Sequence, residues 1–305
     1  MLIAGLVKNN LIALPIALTI WLFFYARKDF IFWLSASFFL LSTACFLLYL
    51  LYGEAFFVNV LLYPRNYSLA LAVHQFVLWI APLHLYLTAA FLLVLLSYNR
   101  SSTLLIGLYV LVAGIWGLFI SGGDGIWHNA IFDLIIAVVI AGGLFIGTFA
   151  HQCRGRWSRR SITHVLIVIS FLPILLKIPS MVSDLKRALI TLPKSEQVVA
   201  GDIDFIAEQE GPVLCENLAL CYWAGKAFEV DFFYLGQKLK AGLVSESAII
   251  ASIENHSFSV IQTDKETGTS FRLPKPINDA VLKEYEITRS SRKSGVFLEP
   301  GENTH

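Results

Sequence analysis

The stretch His151-Gln152-Cys153-Arg154-Gly155-Arg156-Trp157-Ser158-Arg159-Arg160-Ser161 decides the fold class. One apolar run ends at Ala150 and another begins at Ile162, so four arginines lie between two hydrophobic segments. Short loops rich in Lys and Arg stay on the cytoplasmic side of a membrane. This loop therefore sets the sidedness of every other loop. A patch for nucleic acid or anionic lipid is the alternative use of such a run, but two flanking spans favour the orienting role.

Composition agrees with a membrane reading. Of 305 residues, 56% are hydrophobic and 15% charged, with mean hydropathy +0.67, which excludes an ordinary soluble protein. The aromatic content suits spans flanked by Trp and Tyr belts. A net charge of +1 gives no reason to expect nucleic acid. Cys45, Cys153, Cys215 and Cys221 form no CxxC pair and no zinc spacing, so no cysteine-based metal centre is expected.

A span needs about 20 largely apolar residues. The runs that qualify are Asn9–Tyr25, Phe30–Leu51, Phe76–Ser97, Thr103–Ser121, Asn129–Ala150 and Ile162–Ile178. If they alternate, Arg27, Lys28 and Arg100 share the side of the basic loop, and Lys8 and Arg65 lie opposite. Both termini then face out. The first run lacks a basic n-region and a small-residue cleavage site, so it reads as a span and not as a cleaved signal. An outer N-terminus this short would follow naturally from an odd number of preceding spans. The expectation is a C-terminal part of a larger membrane protein, the alternative being a short tail that translocates unaided.

The outer loops hold the polar residues. Gly53–Tyr67 is too apolar for a solvated loop and is broken by Pro64, which suits a segment lying along the membrane surface. Before the fifth span stands Gly122-Gly123-Asp124-Gly125-Ile126-Trp127-His128-Asn129-Ala130-Ile131-Phe132-Asp133. Asn129 and Asp133 are one helical turn apart on one face. An Asp inside a span faces a polar cavity or ties helices together, and Asp133 is read as pocket-facing with the tie as alternative. Glu54, His84, Asp124, His128, Asn129 and Asp133 all map to the outer side, which predicts a polar pocket opening outward. His84 is expected to hydrogen-bond between helices. Gly142-Gly143 is expected to allow close helix packing.

After Lys177 the composition becomes that of a soluble domain. Val182–Leu192 reads as a helix against the bilayer, and Ser195–Glu210 as an amphipathic helix with Val199, Ile203 and Ile206 inward. Pro212–Cys215 is a strand, followed by helices over Leu218–Ala227, Asp231–Ala241 and Ser245–Asn255, with Ser245 or Ser247 as a cap. Phe258–Gln262 is a second strand, Lys265–Lys275 a polar loop and Asn278–Lys283 a short helix. Tyr285–Thr288 and Gly295–Leu298 form a hairpin before a flexible tail, Glu299–His305. The fold class is thus an α-helical polytopic membrane bundle of about six spans over residues 1–180. A small extracytoplasmic α/β domain over 181–305 follows it. Cys215-Glu216-Asn217 closes the first strand, where α/β folds commonly place sites, although Asn217 equally suits a helix cap. Cys215 and Cys221 would face an oxidising compartment; a disulfide and two buried thiols both remain open, because one Cys ends a strand and the other lies in a helix.

The 122–133 stretch resembles part of a known family when taken with Pro212-Val213-Leu214-Cys215-Glu216-Asn217, Ala224-Gly225-Lys226, Asp231-Phe232 and Phe258-Ser259-Val260-Ile261. The chain, from Tyr63-Pro64 to Asp264, is similar to the C-terminal half of GT-C membrane glycosyltransferases, the protein mannosyltransferase and aminoarabinose transferase-like group. The resemblance implies a polyprenyl-phosphate-linked sugar as donor, transfer on the outer face of the cell membrane, and membrane lipid as surroundings. It makes Asp124, His128, Asn129, Asp133, Glu216, Asn217 and Lys226 candidates for substrate contacts, with no residue assigned as base. A divalent metal occurs in that group, but no ligand set is visible here. The acidic motif that the group carries in its first outer loop has no counterpart, and Asn217 stands where Asp is common. Transfer by this chain is therefore expected to need a second chain or further helices. The competing reading is a non-catalytic membrane scaffold or accessory subunit whose outer domain binds a partner. A transporter would call for internal repeats, and the sequence shows none.

Overall fold

The computed structural model describes residues 11–61, 65–152 and 159–301. Arg154 and Arg156 of the basic loop, Lys8, Tyr63-Pro64 and the last four residues of the tail lie outside them. The chain divides into two compact units, Met1–Leu176 and Lys177–His305.

The first unit is helical: α1 (Ala13–Tyr25), α2 (Arg27–Tyr52), α3 (Glu54–Leu61), α4 (Leu69–Ile80), α5 (His84–Ser97), α6 (Ser101–Ile120) and α7 (Phe132–Gln152). A 3-10 turn over Ala81–Leu83 joins α4 to α5, where Pro82 removes a helical donor. Among the described residues, four helical stretches are long and apolar enough to cross a membrane: Arg27–Tyr52, Leu69–Ser97, Ser101–Ile120 and His128–His151. Ala13–Tyr25 is apolar but shorter. The core of the unit is made of small residues at helix contacts: Ala13, Ala17, Ala113 and Ala137 are all but fully buried, beside Tyr109, Ile131 and Leu134. Small side chains let backbones approach closely, which replaces the hydrophobic drive that is lost in lipid. Gly142 follows this logic, because a Cβ there would lie 3.2 Å from the Tyr86 ring. Gly143 does not, because a Cβ there meets nothing within 4 Å. The segment expected to lie along the surface contains a true helix, α3.

Helix α8 (Arg159–Glu208, 50 residues) replaces three expected pieces: a span, a surface helix and an amphipathic helix. The stretch contains Pro173, Pro179 and Pro193, each of which lacks a backbone donor. The helix runs through all three. The hydroxyls of Ser180, Thr191 and Ser195 donate to carbonyls of Lys177, Arg187 and Thr191 and add bonds along this stretch. Propagation costs far less than a new nucleus, so an isolated lost bond does not end a long helix.

The second unit is a four-stranded sheet with helices on both faces. Its strands are β1 (Val213–Cys215), β2 (Val260–Thr263), β3 (Tyr285–Ser291) and β4 (Gly295–Pro300), in spatial order β1-β2-β4-β3. β1 and β2 are parallel, joined through α9 (Leu218–Trp223), α10 (Phe232–Lys240) and α11 (Glu246–Glu254); the β4 pairings are antiparallel. A 10-residue helix, α12 (Lys275–Glu284), precedes β3. Alternation along the strands splits the core in two. Val213, Cys215, Val260 and Phe297 face Ile206 of α8 and Leu220 of α9. Leu214, Ile261, Val296 and Leu298 face Phe232, Leu235, Ile253, Ile277 and Val281 of α10, α11 and α12. Val199, Ile203 and Ile206 turn inward as their spacing predicts.

Four local expectations change. α9 is shorter than expected and stops before Gly225, whose φ of 68° needs no Cβ. Ser245 occupies the cap position of α11, but its hydroxyl bonds Ser247 Oγ at 2.7 Å and no backbone N–H. The hairpin strands are longer than expected, and Glu299 and Pro300 belong to β4 instead of a flexible tail. Gly295 is required at the hairpin, because a Cβ there would run into Thr263 O and Asp264.

Candidate functional site

The turn over 121–125 in the first unit is clamped by backbone pairing. Ser68 N donates to Gly122 O at 2.9 Å, and Asp124 N donates to Asn66 O at 3.0 Å. A Cβ on Gly122 would lie 2.5 Å from the Tyr67 ring, so only glycine fits. The half-buried Asp124 thus sits in a fixed turn. His128 is exposed, with its ring centroid 5.1 Å from Trp79 and 5.1 Å from Trp127. Asn129 lies beside it in the 3-10 turn His128–Ile131 and is half-buried.

Asp133 is only 5% exposed, and protein donors reach both of its oxygens. Ala13 N donates to Oδ2 at 2.8 Å and Tyr109 OH to Oδ1 at 3.0 Å. Ala13 opens α1, so Asp133 satisfies an orphan N–H of one helix while sitting in the first turn of another. This is the helix-tying role. His84 does not bond between helices. Its Nδ1 donates to Ala81 O at 2.9 Å, three residues back, because a carbonyl can only accept.

In the second unit, Glu216 and Asn217 stand at the C-terminal end of β1, beside the end of parallel β2. Glu216 is 2% exposed; its Oε2 accepts from Asp264 N at 2.9 Å and its Oε1 from Ser270 OH at 2.6 Å. Arg272 Nε lies 3.7 Å from the same Oε1. Asn217 caps α9 through Ala219 N at 3.3 Å, and its own N–H donates to Gln262 Oε1 at 2.9 Å. The Gln262 amide then donates to Ser294 O at 2.6 Å and Asp264 Oδ1 at 3.2 Å. The strand ends therefore form a satisfied polar network that pins the 264–273 loop and the hairpin turn. Each oxygen of the buried carboxylate has a protein donor.

Cys215 and Cys221 form a disulfide, with Cα atoms 6.0 Å apart. One residue ends a strand and the other lies in a helix, as the sequence shows. The bond closes because Asn217 starts α9 at once and folds that helix back onto β1. The bond floors a surface cavity of about 320 Å³ lined by Tyr222, Lys226, Phe228 and Glu229. Lys226 Nζ donates to Gln209 O and so ties this rim to the segment after α8. Tyr222 and Phe228 on this cavity are 73% and 72% exposed, and Trp223, 70% exposed, packs edge-on against Tyr222 at 5.3 Å between centroids. The structure thus divides the seven candidate residues among three places. Asp124, His128, Asn129 and Asp133 belong to one turn and helix start, Glu216 and Asn217 to the strand ends, and Lys226 to the cavity rim.

Several functional groups escaped the sequence reading. Asp202, 1% exposed, accepts from Arg289 Nη2 at 2.7 Å and from Ser291 OH at 2.5 Å, which clips α8 to β3. The inward stripe Val199, Ile203, Ile206 encloses Asp202, and that position was the available signal. Lys283 Nζ lies 2.7 Å from Glu284 Oε1. This bond holds the Glu284 carboxyl below its ordinary range and the Lys283 amine above its own. Burial pushes the neighbouring Tyr285 hydroxyl up. No group of three or more His, Cys, Asp or Glu side chains fit to hold a metal occurs among the described residues. Compared with known protein families, with curated proteins and with solved structures, the chain matches none.

Proposed function

We propose that this chain is a membrane-anchored accessory protein whose α/β domain stands on the extracytoplasmic side of the cell membrane and binds a partner chain. One observation carries the reading: a disulfide, Cys215–Cys221, beneath a cavity lined by exposed Tyr222 and Phe228, with exposed Trp223 packed edge-on against Tyr222. Structural disulfides persist in oxidising compartments, which supports an outer placement. Exposed aromatic rings around a concave surface are the usual anchors of protein recognition. Asp133 and Glu216 are buried with a protein donor on each oxygen, which favours a structural role over proton transfer for both. The four long apolar helices, with α1 and the N-terminal part of α8, make up the six spans of this proposal. A photoactivatable residue at Trp223 tests it in intact membranes. A discrete adduct with another protein is expected. Adducts with lipid alone, or none, would overturn it.

A second reading is sugar transfer from a polyprenyl-phosphate donor, by analogy with the GT-C group. The observation that favours it is His128 set between Trp79 and Trp127 beside Asp124 and Asn129, since aromatic faces suit a sugar ring. Membranes containing the chain should then bind a polyprenyl-phosphate sugar, and His128→Ala should weaken that binding about tenfold or more, as the loss of a stacking contact implies. Equal binding by wild type and variant would remove this reading.

A further inference from the structure

Part of α8 carries a second pattern. Ile178, Val182, Leu185, Leu189 and Leu192 follow one another at spacings of four, three, four and three. This is a heptad seam, the period that keeps one stripe of a helix against another helix. The stripe continues through Glu196 to Val199, Ile203 and Ile206, which the sheet of the same unit covers. The earlier five residues are left bare, at 45%, 58%, 60%, 60% and 49% exposed. One helix thus presents one stripe, buried at its C-terminal end by its own domain and open over nearly four turns before it.

We propose that this open seam pairs with the same seam of a second copy, as a short parallel coiled coil. Three features fit a second copy. A bilayer fixes the orientation of an inserted chain, so residues 178–192 of two copies run in the same direction. With Ile178, Leu185 and Leu192 at d and Val182 and Leu189 at a, identical layers meet in register. Val182 at a followed by Leu185 at d is the pairing that favours two strands, whereas Ile178 at d and Leu189 at a pull toward more. The charges agree as well. Asp184, Arg187 and Lys194 fall at c and f, away from the seam. At the flanks, Lys186 meets Met181 of the other copy and Pro193 meets Ala188, so no like charges oppose each other, and the lysine stem can lie along the methionine. Pro179 and Pro193 occupy e positions, outside the a and d layers.

The test uses the full chain in membranes, with Cys45→Ser and Cys153→Ser to remove other thiols and the Cys215–Cys221 disulfide retained. Leu185→Cys places a thiol in the seam, and Arg187→Cys places one on the opposite face of the helix. Mild oxidation should give at least about fivefold more cross-linked dimer from Leu185→Cys than from Arg187→Cys, since only d positions face each other. Adding Leu189→Glu should lower the Leu185→Cys yield to that of Arg187→Cys. Protection of Cys215–Cys221 from alkylation shows that the domain is still folded. Equal yields from the two faces, or no dimer from Leu185→Cys, would overturn the proposal. The latter is what lipid, or the chain's own helices, covering the seam would give.

Discussion

Asp133 shows how one side chain organises the first unit. Its two oxygens serve Ala13 N and Tyr109 OH, donors that lie on two other helices. Asp133→Ala strands both donors in a buried site, at a cost of about 1–3 kcal/mol for each unsatisfied group. The detergent-solubilised protein should melt at a clearly lower temperature, and Asp133→Asn, which keeps an acceptor, should lose less; equal melting of wild type and Asp133→Ala would contradict the tie. Asp202 plays the same part in the second unit. Asp202→Ala removes the buried acceptor of Ser291 and of the part-exposed Arg289 and should destabilise that unit by about 1–3 kcal/mol, read as earlier cleavage in thermal proteolysis. The pH response follows from the neighbours of Tyr285. The depressed Glu284 contributes stability present above its ordinary value of 4.5 and lost as pH falls through its folded value. The raised Lys283 and Tyr285 contribute stability present below 10.5 and 10.0 and lost as pH rises through their folded values. Unfolding at graded pH should show a plateau between these limits. Lys283→Met should flatten the alkaline arm in part, and an unchanged arm would contradict the assignment. The sequence marked Asp133 as costly inside a span, but its partner Ala13 lies 120 residues away and a backbone N–H leaves no signature.

At the scale of elements, periodicity was the dependable signal. The spacing of Val199, Ile203 and Ile206 gave the right face, because burial selects apolar side chains at the period of the element. Boundaries were less legible. Asn217 and Asp231 cap α9 and α10 through their side chains, whereas Ser245, of the same preferred type, does not. Ser245→Ala should therefore change stability by no more than about 0.5 kcal/mol, against the roughly 1 kcal/mol expected of a working cap. The length of α8 was not legible, because its apolar pattern changes after Lys177, and a helix already propagating continues through that change and past Pro173, Pro179 and Pro193. The disulfide stood as one of two open readings because it depends on α9 folding back onto β1, which six residues of sequence do not decide. By the loop-entropy estimate so short a loop contributes about 2 kcal/mol. Cys221→Ser should lower the unfolding midpoint of the second unit accordingly and loosen the rim at Tyr222, seen as faster proteolysis there.

The whole molecule pairs apolar helices, cored by small residues, with a sheet domain whose buried acids Asp202 and Glu216 have protein donors. That combination was legible from composition alone, since the hydropathy falls sharply after Lys177. The candidate residues were legible as polar groups in unusual places but not by role, because a buried acid that ties helices and one that binds a ligand have the same sequence signature. The account rests on the α/β domain standing on the outer, oxidising face of the membrane. The most direct test is a single thiol at Lys275→Cys, an exposed site at the start of α12, in the Cys45→Ser, Cys153→Ser chain. Intact cells are treated with a membrane-impermeant maleimide. Labelling without permeabilisation is expected; labelling only after the membrane is opened would place the domain inside and contradict the proposed function.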